Sequence, residues 1–156
     1  MAEALAILGM ASSIIQVVDF GLRVSREMYT FLNELKDSRK DIENTSRTLG
    51  GVTSVLVDVK AYVEERRRDK MPIPEAISHG IHQIQYILTC ARSLFPNNCS
   101  ELSIYKRIKW VVDAKRLRQF SQQLDSEKST LQIALLMAFQ LVSQLPDITL
   151  RQANLI

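Results

Sequence analysis

Residues 42–63, IENTSRTLGGVTSVLVDVKAYV, decide the fold. Ile42, Thr45, Leu49, Val52, Leu56, Val59 and Val63 follow one another at alternating steps of three and four. That spacing holds seven side chains on one face of an α-helix, and such a seam must be buried against other helices. Gly50 and Gly51 sit within the seam and predict a close helix crossing or a kink there. The helix closes on Glu64-Glu65-Arg66-Arg67-Arg68-Asp69-Lys70, where cations complement the negative end of its dipole.

The same period recurs further along the chain. After the connector Met71-Pro72-Ile73-Pro74, Ile77, Ile81, Ile84, Leu88, Ala91 and Phe95 share a face, with Pro74 suited to a helix start and Pro96 to its end. Ile104, Tyr105, Ile108, Val111 and Val112, together with Trp110, predict a short helix, and Asp113 is an N-cap for the next one. Leu117, Phe120, Leu124, Leu131, Leu135, Ala138, Val142 and Leu145 then form a long seam that Lys128 interrupts. The apolar run Leu131–Val142 is expected at the centre of the core, and Pro146 is expected to end the helix.

Upstream lies MAEALAILGMASSIIQVVDF, which has no charge between Glu3 and Asp19. Leu5, Leu8, Ser12, Ile15, Val18 and Leu22 fall on one helical face, while Ala4, Ala6, Gly9, Ala11 and Ser13 are small enough for another backbone to approach. Apolar positions continue through Met28, Tyr29, Leu32 and Leu35, with Gly21 as a bend or hinge. A helix over about 2–35 follows, with two acceptable surroundings, a protein core or a bilayer. The uncharged run is short of the roughly 20 residues that span a membrane, and no cation precedes it as in a signal peptide. No strand pattern or repeat appears. The expected fold is all-α: an up-and-down bundle of four long helices plus one short helix over residues 1–146, with 147–156 as the start of a linker.

Composition narrows the function. The 156 residues are 46% hydrophobic and 24% charged, with a formal charge of +3, an ordinary soluble balance. There is no Walker A loop, GxGxxG, GxSxG or HExxH motif. His79 and His82 are three apart on a helix but have no further ligands at metal spacing. Cys90 and Cys99 read as reduced thiols, and neither histidine makes Cys90 a catalytic nucleophile without an orienting group. No catalytic residue, metal or cofactor is expected.

Cations do concentrate. Arg66, Arg67, Arg68 and Lys70 end one helix, and Lys106, Arg107, Lys109, Lys115, Arg116 and Arg118 gather near Tyr105, Trp110 and Phe120. Polybasic segments beside aromatic residues suit an anionic membrane or a protein partner, or else form a solvated face. No nucleic-acid module accompanies them, and no nucleic-acid partner is expected.

With these residues in hand, the opening MAEALAILGMASSIIQVVDFGLRVSREMY, with its Val18-Asp19-Phe20-Gly21, resembles the amino terminus of fungal HeLo-like domains. Those domains precede NACHT or NB-ARC modules in fungal STAND (NOD-like) receptors. The stretch from Ile108-Lys109-Trp110 to Leu135 resembles the closing segment of that family, so the likeness covers about Met1 to Leu145. The resemblance implies a helical bundle related to HeLo domains, to the executioner domain of the mixed-lineage kinase-like pseudokinase and to coiled-coil domains of plant immune receptors. It further implies a cell-death effector, cytoplasmic at rest, that oligomerises when a receptor module is activated and sends its first helix to the plasma membrane. The membrane-entering element maps onto Ala2–Leu22 and so includes Leu5, Leu8, Gly9, Ser12, Ile15, Val18 and Leu22. The alternative is an adaptor or oligomerisation bundle that binds only proteins.

Overall fold

The computed structural model describes residues 2–34, 39–95 and 114–153, with side chains as far as 140. Four long helices form: α1 (Ala2–Glu34), α2 (Lys40–Arg68), α3 (Glu75–Ala91) and α4 (Ala114–Ala153). A 3₁₀ turn, Arg92–Leu94, follows α3. No strand occurs among the described residues, and the all-α bundle is the architecture. The short helix expected over residues 104–112 lies outside the described residues.

Cross-helix contacts fix the topology. Asp19 pairs with Lys60, Gly50 faces Tyr29, and Asn33 accepts a hydrogen bond from Ser46, so α1 and α2 run antiparallel in constant register. Thr48 meets Ser121, Gly51 meets Lys128 and Tyr62 meets Phe139, so α2 and α4 run parallel. α3 packs on α1 and α4, while α2 and α3 face each other across a diagonal. The chain therefore runs up, down, up and down, but the connector after α2 crosses the end of the bundle instead of joining neighbours. Ile73 within that connector is buried and closes this end of the core.

The seams of α2 and α3 are buried at every predicted position, and that of α4 at every apolar position through Ala138. At the far end Phe95 stands edge-on to Phe31 and to Phe120, at 5.7 and 6.1 Å between centroids, and ties α1, the α3 exit and α4 together. Such edge-to-face pairs add to simple area burial.

Several expectations are corrected. α1 is continuous through Gly21, which is no hinge: it is buried, and a Cβ there would stand 3.1 Å from Leu56 Cδ1. The missing side chain is what lets Leu56 approach. α2 likewise continues through Gly50 and Gly51. Pro146 does not end α4, which runs on to Ala153; a proline removes one helical hydrogen bond, a loss that a long helix survives. Nor is Leu131–Val142 wholly core. Leu131, Leu135 and Ala138 are buried, but Ile133, Leu136, Met137 and Phe139 are exposed, because no helix among the described residues covers the outer face of α4.

Candidate functional site

α2 ends at Arg68, and the antiparallel register places Arg68 opposite Ala11 of α1. Ala11 is also the first buried residue of α1. The turns before it, Ala2–Met10, run on past the end of α2 for about 13 Å. None of them is buried: Leu5 is 68% and Met10 55% exposed, and Ile7 and Leu8 are partly covered. Of the most apolar 18-residue window in α1, only 28% is buried. By length and composition alone, α1 is the helix among the described residues that is long and apolar enough to cross a membrane, a test that core helices of soluble proteins also pass.

The predicted apolar face of α1 is therefore split. Val18 and Leu22 are in the core, Leu8, Ser12 and Ile15 are partly covered, and Leu5 is exposed, as is Gly9 on the small-residue face. The stripe that the bundle buries lies about 100° round the helix: Ala11, Ile14, Val18, Gly21, Ser25, Met28 and Leu32, a heptad seam. Two adjacent apolar stripes make α1 wider in apolar surface than its core contact needs. Hydrophobicity alone passes over the true seam because three of its members are Ala, Gly and Ser.

The end of α2 lies beside the projecting turns of α1. Arg67, Arg68 and Lys70 are exposed and have no carboxylate partner among the described residues. Arg66 is more constrained. Its Nε donates to Tyr62 Oη at 2.9 Å and its guanidinium lies 5.2 Å from that ring centroid. Lys70 adopts φ 54°, and the amides of Lys70 and Met71 donate to the carbonyls of Arg67 and Arg66 at 3.3 and 2.9 Å. This is a Schellman turn with lysine at the left-handed position that glycine usually takes. It turns the chain sharply and leaves Met71 exposed next to the cations.

The second basic group sits elsewhere. Lys115, Arg116 and Arg118 open α4, where Arg118 Nε approaches Asp41 Oδ1 at 3.7 Å near the start of α2. The length of α2 separates them from Arg66–Lys70 by about 40 Å. The two clusters form no common patch. Lys106, Arg107 and Lys109 lie outside the described residues.

No group of three or more His, Cys, Asp or Glu side chains able to hold a metal occurs among the described residues. His82 Nδ1 lies 2.7 Å from Ser78 O, and Cys90 is an exposed free thiol. No family model, curated protein or solved structure matches the chain.

Proposed function

We propose that this bundle is a membrane-targeting, membrane-permeabilising cell-death effector domain of the HeLo-like kind, the amino-terminal unit of a fungal NOD-like receptor. At rest it is cytoplasmic. When an attached receptor module drives self-association, α1 engages anionic phospholipid of the plasma membrane. The observation that carries the reading is that Ala2–Met10 runs on past the end of α2 with none of its residues buried and with Leu5 and Met10 exposed, on the side of the bundle where Arg67, Arg68 and Lys70 end α2.

Magnitudes indicate why oligomerisation belongs in the mechanism. Three cations near anionic lipid contribute about 1 kcal/mol each, and Leu5 and Met10 about 1.5–2 kcal/mol each on burial. The total, on the order of 6 kcal/mol, corresponds to a dissociation constant in the tens of micromolar. One copy binds weakly and reversibly; several copies held together bind firmly. Residues from Ala11 onward must leave the core before α1 can span a bilayer, which couples insertion to loosening of the bundle.

The test is dye release from phosphatidylserine-containing vesicles by the chain fused to an inducible oligomerisation module. Release is expected on induction. Leu5→Glu and Leu8→Glu should each reduce it severalfold, and Arg67→Glu with Arg68→Glu should make it weaker and more salt-sensitive. Absence of release by the induced wild type, or undiminished release by both leucine variants, rejects the reading in favour of a bundle that binds only proteins.

A further inference from the structure

The outer face of α4 is an apolar feature of the described residues that the membrane reading leaves unused. Ser129–Pro146 carries no charge. Within it Ile133, Leu136, Met137 and Phe139 are between 48% and 63% exposed. Exposed patches built from several large apolar side chains mark interaction surfaces more often than chance.

This patch borders a groove of about 300 Å³ between α2 and α4. α2 lines it with Asp58, Ala61, Tyr62 and Glu65, and α4 with Leu135, Leu136 and Phe139. Tyr62 is buried and holds Phe139 edge-on at 5.5 Å. The carboxylates of Asp58 and Glu65 have neither an ion-pair nor a hydrogen-bond partner among the described residues. They are seven residues apart on one face of α2, two turns or about 10 Å.

An apolar channel with uncompensated carboxylates on one lip fits a helix that is apolar on one side and cationic at the edge. The same carboxylates repel an anionic bilayer. We propose that the α2–α4 groove is a docking site for a basic amphipathic helix of a partner protein. Its apolar residues lie against Tyr62, Leu136 and Phe139, and Lys or Arg side chains seven residues apart pair with Asp58 and Glu65. The groove is then a protein-binding surface separate from the lipid-directed turns of α1, and its existence does not depend on membrane activity.

The probe is a labelled 14-residue leucine–lysine peptide of helical period with lysines seven apart, titrated into the 156-residue chain and followed by fluorescence anisotropy. Saturable binding is expected. Leu136→Glu, and separately Asp58→Lys with Glu65→Lys, should each weaken it about tenfold, while Tyr86→Glu on the exposed face of α3 leaves it unchanged. All these positions are at the surface, and thermal unfolding of each variant reports whether the bundle is intact. No binding by the wild type, equal binding of a peptide with glutamate in place of lysine, or equal loss in Tyr86→Glu overturns the proposal. So does a Leu136→Glu variant that loses vesicle binding but keeps the peptide, since the face then belongs to lipid.

Discussion

Lys128 lies across Gly51. A Cβ on Gly51 would stand 3.2 Å from Lys128 Cδ and 3.3 Å from its Nζ, and that ammonium is held by Asp125 Oδ1 at 2.8 Å. Lys128 occupies a seam position between Leu124 and Leu131, where an apolar residue would normally face α2. The bare backbone of Gly51 gives its methylene stem a path outward, so the stem packs while the charge stays beside a carboxylate. The glycine in one seam and the lysine in the other explain each other.

Gly51→Ala should nevertheless stabilise the protein, by about 0.5–1 kcal/mol in urea unfolding. Alanine gains about 1 kcal/mol of helix propensity over glycine, and the crowded neighbour is a flexible stem free to swing aside. Gly80→Ala should do the opposite and lose about 1–2 kcal/mol. Its Cβ would stand 3.0 Å from Cδ1 of Leu131, a fully buried side chain with nowhere to move. The same sign for both substitutions would refute this account of the packing.

These contrasts show where the sequence was legible. The seams of α2 and α3 could be read outright, because polar or small residues such as Thr48, Thr53, His82, Gln83 and Gln85 stand beside Leu49, Val52, Ile81 and Ile84 and leave one large apolar face to bury. In α1 that discriminator is weak: between Glu3 and Asp19 only Ser12, Ser13 and Gln16 are polar, and two stripes qualify equally. The choice between them is made by which side of α1 meets α2 and α3, which is a tertiary fact. The exposed side of α4 was hidden for the same reason, since an uncharged run reads as core all round. Heptad seams also carry no information on which helices are neighbours, so the diagonal connector and the wide separation of the two basic clusters could not be foreseen.

Ser25→Ala should raise stability by about 1 kcal/mol. Ser25 is fully buried in the α1 seam, and its Oγ has no hydrogen-bond partner among the described residues. Thr45, equally buried in the α2 seam, meets its need by donating to the carbonyl of Asp41 at 2.7 Å. An unsatisfied hydroxyl costs about 1–3 kcal/mol when desolvated, and alanine removes it with little change of shape. Thermal unfolding of Ser25→Ala beside Thr45→Ala distinguishes the two; a loss in Ser25→Ala would mean that its hydroxyl is bonded after all.

Lys70→Gly should stabilise the bundle by about 1 kcal/mol, because φ 54° is strained for lysine and relaxed for glycine. The same change removes one exposed cation next to the projecting turns of α1. The expected pattern is therefore a higher midpoint of unfolding together with weaker binding to phosphatidylserine vesicles. Lys70→Asn, which tolerates the left-handed region and is also uncharged, should behave alike. A variant that gains stability and binds lipid as before would show that Lys70 takes no part in the membrane contact.

Lys60 Nζ holds Asp19 Oδ1 at 2.8 Å and is the ion pair between α1 and α2 nearest the projecting turns. The hydrogen bond to Asp19, reinforced by its charge, raises the Lys60 pKa above the ordinary 10.5. A lysine whose pKa is raised on folding contributes stability that is complete below 10.5 and is lost as pH climbs through the higher folded value. Stability should thus show no Lys60-dependent change near neutrality and decline above about pH 10.5, and Lys60→Met should remove that alkaline component. Both side chains are substantially exposed, so the effect is modest and fades with salt. In the proposed mechanism its functional weight is greater, because this pair fastens the helix that would leave the bundle. At neutral pH and low salt, Lys60→Met should lower the degree of induced oligomerisation needed for vesicle leakage, whereas Arg47→Met, exposed nearer the start of α2, should not. Equal leakage thresholds in wild type and Lys60→Met would show that release of α1 is not what limits permeabilisation.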